Sequence, residues 1–247
     1  MIVGEKIKTH NKHYTIVRKI AADDRPNANV YLCTDEKGTK FIAKHFYKHP
    51  PQPNIPYGKK NHYGRRRDGS DKVFNEIKDK HKFNDFVIDH IERINHKGKW
   101  VIIIEYIEGD LLREFILKNK SDLPKVYSSV IALAKTLAEW HQNGFAHGDP
   151  HLDNCIVQTN DNGELKAVLI DYSQIHHRDF YYCKKYDCFG SNPQKRIKED
   201  LINNCNKLGK GFRSEIVGLE KQISLDTYLS ELFDKHYTDN LKLSILN

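Results

Sequence analysis

Apolar and polar positions alternate in three short stretches of the first fifty residues. His13 to Ile20 (HYTIVRKI), Val30 to Cys33 and the run F-I-A-K ending at Lys44 each read as a strand, with Ile42 and Lys44 on one face of the third. A polar linker, AADDRPNAN, separates the first two strands, and a D-E-K-G turn at 35–38 precedes the third. Ser70 is suited to cap a helix buried through Val73, Phe74 and Ile77. Trp100 begins a strongly apolar strand that meets a glycine break at 109 and then a new helix.

After that break the period becomes helical. Val130, Ile131, Ala134, Leu137, Ala138 and His141 share one helical face, which Asn143-Gly144 brings to a stop. Cys155-Ile156-Val157 and Val168-Leu169-Ile170 read as two short buried strands joined by a polar turn from Asn160 to Gly163. Asn192-Pro193 opens another helix and Leu208-Gly209 closes it. A last amphipathic helix follows Ser224, with Leu225, Tyr228, Leu229 and Leu232 aligned.

Composition narrows the class. A chain of 247 residues can bury a sizeable core in one bilobal domain or two small ones. Its longest apolar run, Val101 to Ile104, is strand-sized, so no membrane span is expected, and the opening MIVGEKIK lacks the long apolar core of an export signal. Five scattered cysteines do not suggest a disulfide framework, and a reducing cytoplasm is the expected location. His176, His177, Cys183 and Cys188 match no common zinc spacing. A net charge of +7 suits an anionic partner without selecting nucleic acid or a membrane surface. Much of the basic character lies in one stretch, 48–72, where Pro50, Pro51, Pro53 and Pro56 are followed by Lys59, Lys60, Arg65, Arg66 and Arg67. Such a segment cannot pack a core; it reads as an extended insertion, either an anion-binding arm or a solvated loop.

The candidate chemistry is concentrated between His147 and Ser173, where H-G-D-P-H-L-D-N is followed by a strand, a turn and A-V-L-I-D-Y-S. Asp149 stands five residues before Asn154, and Asp171 follows an apolar strand. One carboxylate that orients a hydroxyl, with an amide and a second carboxylate that hold Mg²⁺, are what phosphoryl transfer from a nucleotide requires. Asp and Asn also favour turns, so the spacing alone would carry little. The helix before the motif and the hairpin after it give it context.

Helix, loop, hairpin and terminal Asp together resemble the catalytic and metal-binding loops of the protein-kinase-like superfamily. The resemblance runs from about His13 to Leu208 and implies an α+β, bilobal fold: an antiparallel-sheet N-lobe over 1–107 and a reduced, mainly helical C-lobe over 108–247. It implies ATP and Mg²⁺ as cofactors, with Asp149 as the hydroxyl-orienting base and Asn154 and Asp171 as metal ligands. Lys44 would reach the nucleotide phosphates, held by Glu76, with Asp79 as the competitor for that pairing. Backbone groups around Glu105, Tyr106 and Ile107 would bond the adenine edge. Asp200 would support the catalytic loop from beneath.

Several positions depart from the kinase pattern. The linker that would cover the phosphates contains no glycine, so that lid is expected to be either looser or built from Asn27, Ala28 and Asn29, with Arg25 supplying charge. H-G-D stands where H-R-D is usual and D-Y-S where D-F-G is usual, so the loop at 172–192 should not need phosphorylation to become active. His151 takes the place of a phosphate-contacting lysine, or else serves as a loop histidine bonded to backbone. Only 76 residues follow Asp171, with no A-P-E sequence among them, too few for a full eukaryotic-type substrate lobe.

The chain is most similar in pattern to compact bacterial kinases. Small atypical Ser/Thr protein kinases share its minimal scheme, and the expected acceptor is a Ser, Thr or Tyr hydroxyl on a protein with an acidic surface. The alternative is a phosphorylated glycan, since H-G-D-P-H-x-x-N is similar to lipopolysaccharide core heptose and Kdo kinases. A further alternative is a nucleotide-binding pseudokinase. Location in a host cytoplasm follows if the protein is a delivered effector.

Overall fold

The computed structural model describes residues 1–9, 12–20, 28–46, 90–147, 151–171, 176–177 and 231–240, with backbone alone at 90, 93, 176 and 177. The expected helices at 70–77 and 192–208, the start of the last helix and the basic stretch 48–72 lie outside these residues. The chain divides into two compact units, Met1–Glu76 with Ile88–Ile107, and Ile77–Val87 with Glu108–Asn247.

The first unit carries a six-stranded antiparallel sheet in the order β1-β2-β3-β4-β6-β5, made of β1 (Lys6–Lys8), β2 (His13–Lys19), β3 (Ala28–Thr34), β4 (Lys40–Phe46), β5 (His90–His96) and β6 (Lys99–Glu105). Period-2 alternation gives the sheet two different faces. One carries the core cluster of Ile7, Tyr14, Ile16, Tyr31, Cys33, Phe41, Ala43, Ile94, Val101 and Ile103. Tyr14 and Phe41 meet edge to face at 5.2 Å within it. The strands around β4 are longer than the sequence pattern suggests, because the β3–β4 ladder continues from Thr34↔Lys40 to Ala28↔Phe46.

The second unit is built on two helices, α1 (Leu112–Lys118) and α2 (Leu123–Gln142). Asp122 caps α2 by accepting the Lys125 N–H at 3.3 Å, and Pro124 occupies its first turn. The helix therefore begins one to two turns before the apolar stripe that signals it, the extra residues including the polar Lys125 and Ser128. Its far end lies at the expected stop, Asn143 capping and Gly144 at φ 78°.

Leu111 joins α1 directly to β7 (Asp110–Leu111), which adds to the hairpin of β9 (Cys155–Thr159) and β10 (Leu165–Leu169) in the order β10-β9-β7. β10 starts three residues earlier than the apolar run implies and ends before Ile170, since its ladder runs from Leu165↔Thr159 to Leu169↔Cys155. Thr136 of α2 donates to the Ala167 carbonyl at 2.8 Å, fixing helix to hairpin inside the core. β8 (Phe145–Ala146) pairs with β11 (His176–His177). A helical stretch over 231–240, α3, meets the end of α2: His141 Nδ1 and the Tyr237 hydroxyl lie 2.7 Å apart in a hydrogen bond. No helix among the described residues is long and apolar enough to cross a membrane.

Candidate active site

The loop in the second unit begins where β8 ends. Phe145 and Ala146 are buried and deliver His147 into the core, its ring 5.3 Å from that of Trp140. His147 donates from Nε2 to the carbonyl of Ile170 at 2.9 Å; since a carbonyl can only accept, that nitrogen carries the proton. Asp149 lies outside the described residues. From His151 the chain makes a single 3₁₀ turn, Leu152–Asn154, before entering β9.

His151 caps that turn. Its Nδ1 accepts the Asp153 N–H at 3.2 Å, and its carbonyl accepts the Asn154 N–H at 2.8 Å. Of the two roles open to it, the structure thus contains the backbone-bonded one. Asn154 is buried, and its carbonyl accepts the N–H of Ile170 at 2.8 Å.

Ile170 is consequently held on both sides, by His147 at its carbonyl and by Asn154 at its amide. The next residue, Asp171, has φ 63°, in the left-handed region that Asp tolerates better than most residues. The turn out of β10 and these two hydrogen bonds bring residues 154 and 171 together although they lie 17 positions apart in the chain. An amide oxygen and a carboxylate are hard oxygen donors suited to Mg²⁺, which takes one or two protein ligands and completes its shell from water and phosphate. The donor chemistry fits the ion. Among the described residues no group of three or more His, Cys, Asp or Glu forms a larger metal cage.

Two further residues support this region, and the sequence pattern gave no sign of the contacts that either one makes. Arg113 of α1 grips Asp153 with two bonds, Nε to Oδ1 at 2.7 Å and Nη2 to Oδ2 at 3.1 Å. Gly109, at φ 149°, allows the chain to pass against β9 so closely that a Cβ there would lie 2.4 Å from the Val157 carbonyl oxygen. The glycine break at 109 was legible as a break. Its contact was not, because nothing in the local sequence points to β9, and a helix-surface arginine has no signature at all.

In the first unit, Lys44 sits on β4 between Val30 of β3 and Ile102 of β6, on the sheet face opposite the core cluster. Ile42 shares that face, flanked by Leu32 and Ile104. A half-buried lysine in an apolar row is not a solvated surface lysine. Glu105 ends β6 opposite Phe41, and Tyr106 and half-buried Ile107 follow it, with the Lys40 ammonium 5.1 Å above the Tyr106 ring.

Asn29 does not lie in a loop, as expected of a phosphate-covering lid. It lies in β3 opposite His45, because the ladder continues through it, and alternation puts it on the face of Tyr31 and Cys33 rather than that of Lys44. Asn27, Glu76 and Asp200 lie outside the described residues. Cys33 and Cys155 are free and buried, burial pushing both thiols up to about 12, which leaves them inert.

The curled antiparallel sheet, the helices and the paired loops define a protein of the protein-kinase-like superfamily. Comparison with known proteins agrees. The family model described as "Lipopolysaccharide core biosynthesis protein (WaaY)" matches residues 29–176, more than half of the chain. The chain belongs to that family.

Curated relatives carry kinase names. An AarF domain-containing protein kinase 1 of Xenopus laevis is 30% identical over 107 residues, covering 40% of this chain and 20% of the relative. A probable serine/threonine-protein kinase fnkB of Dictyostelium discoideum is 38% identical over 78 residues, 31% of this chain and 14% of the relative. The chain thus spans a fifth or less of the length of these relatives. Among solved structures, the BubR1 kinase domain superposes with a TM-score of 0.50 at 13% identity, over 71% of this chain and 51% of that one, a likeness of fold.

Proposed function

We propose that the protein transfers the γ-phosphoryl group of ATP to a hydroxyl, with Mg²⁺. The observation that supports this is the clamp on Ile170, which holds the residue before Asp171 against Asn154; on this reading the two residues supply oxygens to the ion. On this reading Mg²⁺ neutralises charge on the transferring phosphoryl group, Asp149 orients the acceptor hydroxyl, and Lys44 contacts phosphate. Backbone groups between Glu105 and Ile107 take the adenine edge. The reaction belongs in the cytoplasm, where ATP is available.

For the acceptor we favour a sugar hydroxyl on an anionic glycan of the lipopolysaccharide-core kind. The family match supports this, and it spans more of the chain than either kinase relative described above. A Ser, Thr or Tyr hydroxyl on a protein is the second reading, supported by the names of those relatives. The basic stretch 48–72 suits an anionic acceptor of either kind.

The test is γ-labelled ATP added to a host lysate with the protein, followed by separation of protein and glycolipid fractions. Label in glycolipid, absent with an Asp171→Asn blank, is expected. Label confined to protein would overturn the sugar acceptor. No label above the blank in either fraction, with ATP still bound, would overturn transfer and leave a pseudokinase. Asp149→Ala should lower turnover by about a hundredfold or more while the protein remains folded.

A further inference from the structure

We propose that Arg113 is a positioning residue for the metal-holding loop, acting through Asp153 on Asn154. This rests on the metal role proposed above for Asn154. A guanidinium–carboxylate pair that is about one-third exposed on each side, as this one is, adds little to global stability. The location of this pair gives it another use.

Both ends of the bridge are anchored independently. Arg113 stands at the start of α1, where buried Leu112 and Ile116 hold the helix and β7 ties its entry to β9 through Asp110↔Val157 and Leu111↔Ile156. Gly109 brings that entry against Val157. Asp153 is the middle residue of the 3₁₀ turn and directly precedes Asn154. Two parallel N–H···O bonds from a planar fork fix the carboxylate in rotation as well as in distance, which a single contact does not.

His151 does not replace that hold on the Asp153 carboxylate. The Asp153 Oδ2 lies 3.8 Å from His151 Nδ1, the same nitrogen that accepts the Asp153 N–H. That nitrogen, as an acceptor, gives the carboxylate no hydrogen bond, so with the guanidinium absent the carboxylate would lose both bonds to α1 and the turn, held from its own side alone, could shift. The side chain of Asn154 would move with it. Arg113 therefore sets, through Asp153, the orientation of the metal-binding amide next to it in the chain.

The experiment measures Mn²⁺ affinity by electron paramagnetic resonance with a non-hydrolysable ATP analogue present, and thermal midpoints alongside. Wild type is compared with Arg113→Gln, Arg113→Lys, Asp153→Asn, the Arg113→Gln/Asp153→Asn double variant and Asn154→Ala. Arg113→Gln and Asp153→Asn should each weaken Mn²⁺ binding about tenfold, the scale on which residues behind metal ligands act, at nearly unchanged midpoints. The double variant should be no worse than either single, and Arg113→Lys should fall between wild type and Arg113→Gln.

Unchanged Mn²⁺ affinity in Arg113→Gln beside a loss in Asn154→Ala would overturn the inference and leave the proposed function standing. A fall in midpoint without a change in affinity would reduce the pair to a structural one. Unchanged affinity in Asn154→Ala would remove the metal role itself, and the inference with it.

Discussion

His147 and Ile170 are joined by a hydrogen bond of 2.9 Å from the ring Nε2 to the backbone carbonyl, 23 positions apart in the chain. The imidazole that opens the H-G-D run is therefore committed to structure, holding the residue before Asp171 from inside the core. Its pairing with the Asn154–Ile170 backbone bond explains how a loop and the end of a distant strand share one geometry.

Replacing that ring tests the clamp. His147→Phe keeps the apolar bulk beside Trp140 but leaves the Ile170 carbonyl without its donor, at a cost of about 1–3 kcal/mol. Turnover should fall by about tenfold to a hundredfold through misplacement of Asp171. Chemical denaturation and steady-state rates on the same preparation check both; wild-type turnover in His147→Phe would show that the clamp is not needed.

Asp171 carries a backbone demand as well as a charge. At φ 63° most replacements add strain, whereas Asn accepts the left-handed region and copies the shape. Asp171→Asn should therefore melt close to wild type and lose at least about a hundredfold in Mg²⁺-dependent turnover. Asp171→Val should lose stability too, since a β-branched residue is a poor fit at that angle. Equal melting of the two variants would contradict the strain argument.

Gly109 is the residue for which no substitute has space. An added Cβ would meet the Val157 carbonyl oxygen at 2.4 Å and Ile156 Cγ2 at 2.8 Å, at a φ that side chains rarely adopt. Backbone cannot give way as a side-chain tip can, so Gly109→Ala should cost about 2–4 kcal/mol. Gly163 is the control. It also has positive φ but nothing within 4 Å, so Gly163→Ala should cost only about 1 kcal/mol. Equal losses at 109 and 163 would mean that the crowding at β9 is relieved.

These residues mark what the sequence could and could not tell. The strands around Lys44 and the helix ending at Asn143-Gly144 were legible because their apolar residues keep one period and their ends carry turn residues. The elements flanking the loop were legible because the helix before it and the hairpin after it keep their own periods and turn residues. β1 was missed because its Lys-Ile-Lys has a single apolar residue. β5 was missed because a bulge between His90 and Glu92 breaks its alternation and leaves Ile91 38% exposed while Ile94 is 9% exposed. Asn29 was misassigned to a loop because polar residues around 27–29 read as a linker, whereas backbone pairing with His45 decided the matter. Arg113 and Gly109 act through contacts 40 or more positions away, which no local window contains.

The last prediction concerns pH and the first unit. His45 is 7% exposed on β4, and its Nδ1 has no hydrogen-bond partner among the described residues. Burial holds the ring neutral and pushes its pKa down from 6.5 to about 4, helped by the Met1 ammonium, Lys99 and His96, with Glu5 opposing. Glu5 itself is held down to about 2 by hydrogen bonds from Lys97, His96 and the Ile2 amide. The unfolded chain protonates His45 as pH falls below 6.5, while the folded chain resists until about 4, so the unfolded state binds more protons across that window. Stability attributable to His45 is thus intact above pH 6.5 and is lost as pH falls toward 4, with a slope of at most ~1.4 kcal/mol per pH unit. Below about 4.5 Glu5 adds a second loss, as protonation in the unfolded chain precedes protonation in the folded one. His45→Phe should remove the first phase and leave the second, and Glu5→Gln should do the reverse. Thermal midpoints taken from pH 8 to pH 3 on all three proteins separate the phases; a wild-type midpoint that stays flat from pH 6.5 to 4.5 would show that the buried ring does not govern acid sensitivity.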